Sequence, residues 1–230
     1  MTTDVAIVTG AASGIGAATT RALRDRGWAV AGLDLRESEA DASIVVDVTD
    51  ARAVGEAVAR VEDELGPAAA LVSAAGVYEM IPIEQITEER WRWMLDLHLG
   101  GLFNTARAVL PGMLARGRGH VVAVSSELAV GGGDGDAHYA AAKGAIIGLV
   151  RSLALEVAEH GVNVNCVAPG PTDTPLLVPD SPWRAPEYLA TLPCRRLARP
   201  EEIARVIRFL LEDGAQIVGE VISVNSGAVI

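Results

Sequence analysis

The chain has 230 residues, 50% of them hydrophobic, and a formal net charge of -11. That length buries a sizeable core and fits one α/β domain over 1-230, while the acidic balance removes the basic face that a nucleic-acid partner requires. No apolar run approaches the roughly 20 residues of a membrane span, and two cysteines, Cys166 and Cys194, are too few for a disulfide framework and lack metal-ligand spacing.

In chain order, Met1-Thr2-Thr3-Asp4 runs straight into a strand-like Val5-Ala6-Ile7-Val8-Thr9 without the charged start and apolar core of a signal, so a cytosolic location is expected. A helical pattern follows over 14-26, then strands at 28-34 and 44-46, a helix over 51-65, a strand at 69-73 and a long helical stretch to 115. A strand at 120-125, a helix over 137-160, a strand at 162-168, a helix over 201-212 and a strand at 217-224 complete the pattern. Strands alternating with helices, without hairpin turns, predict a doubly wound α/β fold: about seven parallel strands covered by helices on both faces. The link over 35-43 is too short for a full crossover helix. Eight of the eleven prolines fall in 169-200, which predicts a long stiffened substrate loop over 171-199 at a strand's carboxyl end, where open α/β sheets bind ligands.

Two motifs carry chemistry. Thr9-Gly10-Ala11-Ala12-Ser13-Gly14-Ile15-Gly16 lies between the first strand and the first helix, where glycines let backbone approach a pyrophosphate and the helix start supplies free N–H groups. The second is Tyr139-Ala140-Ala141-Ala142-Lys143, which holds the only lysine of the chain among 19 basic residues. Arginine stays charged as a planar fork, whereas lysine is a compact point charge that tunes a neighbouring ionisable group.

With T-G-x-x-x-G-x-G and Y-x-x-x-K in place, the whole chain resembles the short-chain dehydrogenase/reductase family. The resemblance implies cofactor contacts from Gly10, Ser13, Gly14, Ile15 and Gly16. It implies that Asp34, at the end of the second strand, accepts bonds from the adenosine ribose and repels a 2′-phosphate, favouring NAD over NADP. Asp47-Val48 resembles the adenine-contacting pair, although Asp47 is equally placed to cap the helix near Ala51. Ala75-Gly76 matches the end of the family's N-N-A-G, with Ser73 and Ala74 in place of both asparagines. Pro169-Gly170 followed by Thr172 and Thr174 resembles the segment that holds the nicotinamide carboxamide.

For the reaction, the resemblance implies Tyr139 as acid/base, Lys143 as its partner and a holder of the nicotinamide ribose, and Ser126, rather than Ser125, on the substrate oxygen. His98 stands where the family has a relay asparagine. Either the imidazole relays protons, which predicts an ionisation near about 6.5, or it is a packing residue. The pocket is expected to be bordered by 131-136 and 176-196, with Trp183 and Tyr188 as walls and Arg195 or Arg196 as carboxylate contacts. No metal is expected. The 35-43 link with 169-174 and 197-204 is similar to dehydrogenases of cyclic diols, of the dihydro-dihydroxybenzoate dehydrogenase kind.

Three functions compete on these residues: an NAD-dependent dehydrogenase of secondary alcohols and their ketones, an NADPH-type carbonyl or 3-oxoacyl reductase, and a cofactor-binding protein with weak or no turnover. The helix over 137-160 is apolar beyond one core-facing stripe, and the resemblance implies a homotetramer using it, 91-115 and Val224 to Ile230.

Overall fold

A computed structural model describes residues 3-229; Met1, Thr2 and Ile230, which the expected domain range and the carboxyl-terminal contact segment include, lie outside the described residues. Seven strands form one parallel sheet in the order β3-β2-β1-β4-β5-β6-β7: β1 (Val5–Thr9), β2 (Ala29–Asp34), β3 (Ala42–Val45), β4 (Ala68–Ser73), β5 (Gly119–Val124), β6 (Val162–Pro169) and β7 (Val221–Val224). The doubly wound expectation holds.

Helices cover both faces because their apolar stripes match the two sides of the sheet. On one side lie α2 (Ala51–Glu64), α4 (Gly101–Arg116) and α6 (Ala137–Val157), burying Val54, Val58, Val61, Leu102, Val109, Ile146 and Val150 against Ile7, Leu33 and Val121. On the other lie α1 (Gly14–Arg24) and α8 (Pro200–Glu212), which bury Leu23, Ile203, Ile207 and Leu210 against Val8, Val30 and Val72. Each such side chain contributes about 1.5–3 kcal/mol by leaving water.

Strand order reverses between β1 and β4, so the carboxyl ends of those strands open a crevice. Several boundaries differ from expectation. The strand expected at 217-224 begins only at Val221, because the preceding segment turns through Gly219 at φ 72°. The stretch to 115 is two helices, α3 (Glu88–Leu95) and α4, joined by a wide π turn over Asp96–Gly100 that carries His98. Short helices α5 (Leu128–Gly131) and α7 (Pro186–Thr191) lie in segments expected to be loop. No described helix is long and apolar enough to cross a membrane.

Candidate active site

The glycine motif closes the crevice at its floor. Gly10 sits at φ 68°, and a Cβ on Gly16 would lie 2.1 Å from the Gly10 carbonyl oxygen, so only glycine lets the loop fold against the first turn of α1. Thr9 braces the facing strand: its Oγ1 accepts from the N–H groups of Ala74 and Ala75, both at 3.1 Å. That hydroxyl ties together the strand ends in the segment where the two asparagines are absent.

Gly10, Ser13, Gly14, Ile15, Gly16, Asp34, Asp47, Val48, Ala75, Gly76 and Thr174 line one continuous cleft. Asp34 is oriented by backbone, its Oδ2 accepting from the Ala12 N–H at 3.0 Å and its Oδ1 from the Arg36 N–H at 3.1 Å. Arg36 reaches the same rim, with Nη2 3.4 Å from the Ser13 hydroxyl. The alternative role for Asp47 falls away, because Asp50 caps α2 by accepting from the Arg52 and Ala53 N–H groups. Asp47 instead accepts from the Thr49 backbone and hydroxyl, and Asn104 holds the Val48 carbonyl at 2.9 Å.

A second pocket adjoins this cleft. Its walls include Ser126, Tyr139, Lys143, His98, Tyr78, Glu127, Pro169, Gly170, Thr172, Leu176, Leu177 and Trp183. Tyr139 and Lys143 come from adjacent turns of α6, and both are buried. The Lys143 ammonium donates to the Val124 carbonyl at 2.9 Å and lies 5.7 Å from the centre of the Tyr139 ring. Ser125 is a neighbour of a different kind: its hydroxyl donates to the Lys143 carbonyl at 2.8 Å, pinning α6 to the end of β5.

Burial sets the protonation states. It pushes the Lys143 ammonium down to about 8, which leaves the group mostly charged at neutral pH. Burial also raises the Tyr139 phenol above its ordinary value; the nearby Ser126 hydroxyl opposes the rise, and Glu127 and Asp136 add to it. The phenol is therefore the resting form.

His98 is packed between Gly76, Val77 and Tyr139. Its ring packs edge-on to Tyr139 at 5.5 Å, its Nε2 meets the Val77 carbonyl at 2.9 Å, and Gly76 leaves the room: a Cβ there would lie 2.5 Å from Cε1. Burial, then the nearby Lys143 charge, hold the imidazole well below 6.5.

The loop after β6 covers the pocket. Its neck is closed by bonds from the Asp173 N–H to the Ala198 carbonyl and from the Ala198 N–H to the Pro171 carbonyl, both at 2.9 Å. Thr172 Oγ1 donates to the Gly170 carbonyl, and Thr174 packs on the glycine loop, its Cγ2 3.2 Å from where a Gly14 Cβ would stand. Trp183 Nε1 donates to Tyr78 Oη at 2.8 Å, and Tyr78 donates on to Asp136 Oδ1 at 2.9 Å. Tyr188 stacks edge-on upon Trp183. Arg196 is spent elsewhere, in a two-pronged bond to Glu202 at 2.7 Å, and neither it nor Arg195 lines the pocket. Glu127 and Tyr78 line the pocket without being flagged by the motifs; the one available signal is a carboxyl placed directly after Ser126 in an apolar run. Among the described residues no cluster of potential metal ligands occurs.

The family model described as enoyl-(acyl carrier protein) reductase matches residues 10–229. The chain belongs to the short-chain dehydrogenase/reductase family. This short-chain dehydrogenase/reductase is 38% identical over 237 residues to cis-4-hydroxycyclohexanecarboxylate dehydrogenase of Sinomonas cyclohexanicum, covering 97% of the chain and 95% of that protein. It is 34% identical over 241 residues to the 3-oxoacyl-[acyl-carrier-protein] reductase FabG of Thermotoga maritima, covering 98% of each. Among solved structures, ligand-free aldohexose dehydrogenase of Thermoplasma acidophilum superposes with a TM-score of 0.91 at 30% identity, covering 98% of this chain and 93% of that one. The chain is thus an oxidoreductase of CH–OH or carbonyl groups that works with a nicotinamide cofactor.

Proposed function

We propose that the chain is an NAD-dependent dehydrogenase that transfers a hydride between a secondary alcohol, of cyclic type, and nicotinamide. The observation that carries the reading is the meeting of Ser126, Tyr139 and Lys143 in one pocket continuous with a cleft whose rim holds an oriented Asp34. The cleft fits a dinucleotide: Gly10, Ser13, Gly14, Ile15 and Gly16 line its floor at the start of α1, where free first-turn N–H groups suit a pyrophosphate. Gly10 to Gly16 would hold the phosphates, Asp34 the adenosine ribose, Asp47 and Val48 the adenine, and Ala75 and Gly76 the adenosine side. Lys143 would hold the nicotinamide ribose, and Pro169, Gly170, Thr172 and Thr174 the carboxamide.

When bound, the nicotinamide supplies the hydride acceptor or donor. Ser126 holds the substrate oxygen by a hydrogen bond. The phenolate form of Tyr139 accepts that oxygen's proton during oxidation, and the phenol form gives it back during reduction. Lys143, still charged near neutral pH, stabilises the phenolate that oxidation demands and offsets the burial that raises it. His98 packs edge-on against the ring of Tyr139 and holds it in place. The domain would act as one catalytic unit with 171-199 as its substrate loop.

One observation favours a second reading, an NADPH-type carbonyl or 3-oxoacyl reductase: Arg36 stands at the cleft rim beside Ser13, where a guanidinium reaches a 2′-phosphate. Calorimetry with NADH and NADPH separates the two. The proposal expects NADH to bind more tightly by about 1.4 kcal/mol or more, one decade; tighter NADPH binding would favour the second.

A further inference from the structure

Glu127 follows Ser126 directly and forms part of the reaction-pocket wall, yet the mechanism gives its side chain nothing to do. Only 6% of the residue is exposed. Its Oε2 is fully buried and has no hydrogen-bond partner among the described residues. The backbone fixes its place, with the Glu127 N–H donating to the Pro169 carbonyl at 3.0 Å across the ends of β5 and β6. Gly170 clears the space: a Cβ there would lie 2.6 Å from Oε2. An ionised carboxyl at this position would raise the phenols of both Tyr139 and Tyr188.

Buried polar oxygens in folded proteins are bonded, and an orphan calls for an explanation. The fold supplies none, since the main-chain bond of residue 127 would be made by any side chain and a leucine would fill the same apolar run. A ligand in the adjoining pocket that brings a donor satisfies the carboxyl, whose two oxygens exchange places by a half-turn of its terminal torsion. We infer that Glu127 is a specificity-determining residue that takes a hydrogen bond from a second hydroxyl of the substrate, on a carbon close to the one oxidised. The inference rests on the alcohol-dehydrogenase reading and narrows its substrate to diols and polyols.

The chemistry of the carboxyl fits this class. Burial, with Asp136 nearby, pushes it up to about 8, so at neutral pH it is largely an uncharged acid, with one donor and remaining acceptor capacity. A hydroxyl both gives and takes a hydrogen bond and matches such a group. A lone carbonyl, as in an acyl thioester, takes the acid's proton but leaves its acceptor capacity unused.

The test compares initial rates with NAD for cyclohexanol and for cis- and trans-cyclohexane-1,2-diol in the wild type, Glu127→Leu and Glu127→Gln. Circular dichroism and NADH affinity establish that each variant is folded. The wild type should favour at least one diol over cyclohexanol by about tenfold in kcat/KM, and Glu127→Leu should lower that ratio by about tenfold while Glu127→Gln keeps most of it. A ratio that Glu127→Leu leaves unmoved, or a wild type indifferent to the second hydroxyl, overturns the inference while leaving alcohol oxidation standing. Calorimetric binding of the diols to the NADH-loaded protein covers the case of no turnover. Diol binding weakened in Glu127→Leu would then uphold the recognition role and sink the oxidation reading. Binding that is absent or equal in the two proteins would sink the role of Glu127.

Discussion

Tyr139 and Lys143 carry different duties, and two substitutions separate them. Tyr139→Phe removes the proton carrier but leaves the cleft intact, so kcat should fall by about 10²–10⁴ while NADH affinity stays within a few-fold. Lys143→Arg should harm both, because a planar fork cannot occupy the buried site that donates to the Val124 carbonyl at 2.9 Å. Steady-state kinetics with calorimetry checks the pair, and a Tyr139→Phe enzyme with substantial turnover would remove the tyrosine from the chemistry. Glu127 permits a second residue-scale prediction, on stability. Its folded value, about 8, lies above its ordinary 4.5, so its contribution is fully present below about 4.5 and is lost as pH rises through about 8. Relative to Glu127→Gln, the wild type should therefore lose stability between pH 5 and pH 9, by up to a few kcal/mol at about 1.4 kcal/mol per pKa unit. Urea midpoints at the two pH values read the difference; a constant offset would mean that Glu127 titrates normally.

The joint between β1 and α1 gives the prediction at the scale of elements. Gly16→Ala places a methyl group 2.1 Å from the Gly10 carbonyl oxygen, which forces the loop off the helix start and should weaken NADH binding at least about tenfold. Fluorescence titration measures it, and unchanged affinity would show that the loop has slack. The joint is also where sequence reading succeeds most, since the glycine spacing and the strand before it are local and demand one backbone path. The Tyr139–Lys143 pair is legible for the same reason, being one helical turn long. What escaped is set by contacts remote in sequence. The π turn over Asp96–Gly100 has no local breaker before Gly100 and depends on His98 packing against Val77 and Tyr139. Periodicity cannot tell such a turn from continuous helix. The bonds from Trp183 through Tyr78 to Asp136 join three segments far apart in the chain, and Arg196 is drawn from the pocket by Glu202 on α8. A spacing argument sees none of these.

At the scale of the whole molecule, α4 and α6 each present a large apolar side chain to the surface: Phe103 is 50% exposed and Leu155 84%. Both sit on helices that the expected homotetramer uses, and such an assembly would cover them. Light scattering at micromolar concentration should give four chains for the wild type and fewer for Phe103→Arg combined with Leu155→Arg, with unchanged circular dichroism. A monomeric wild type would contradict the assembly. The central claim, that Asp34, Ser126, Tyr139 and Lys143 together make an NAD-dependent alcohol dehydrogenase, meets its most direct test in one measurement. A panel of cyclic and acyclic secondary alcohols is incubated with NAD or NADP, and the absorbance of the reduced nicotinamide is followed. The account predicts reduction of NAD by at least one cyclic alcohol, a rate at least about tenfold lower with NADP, and loss of the signal in Tyr139→Phe; reduction confined to NADP, or surviving in Tyr139→Phe, would contradict it.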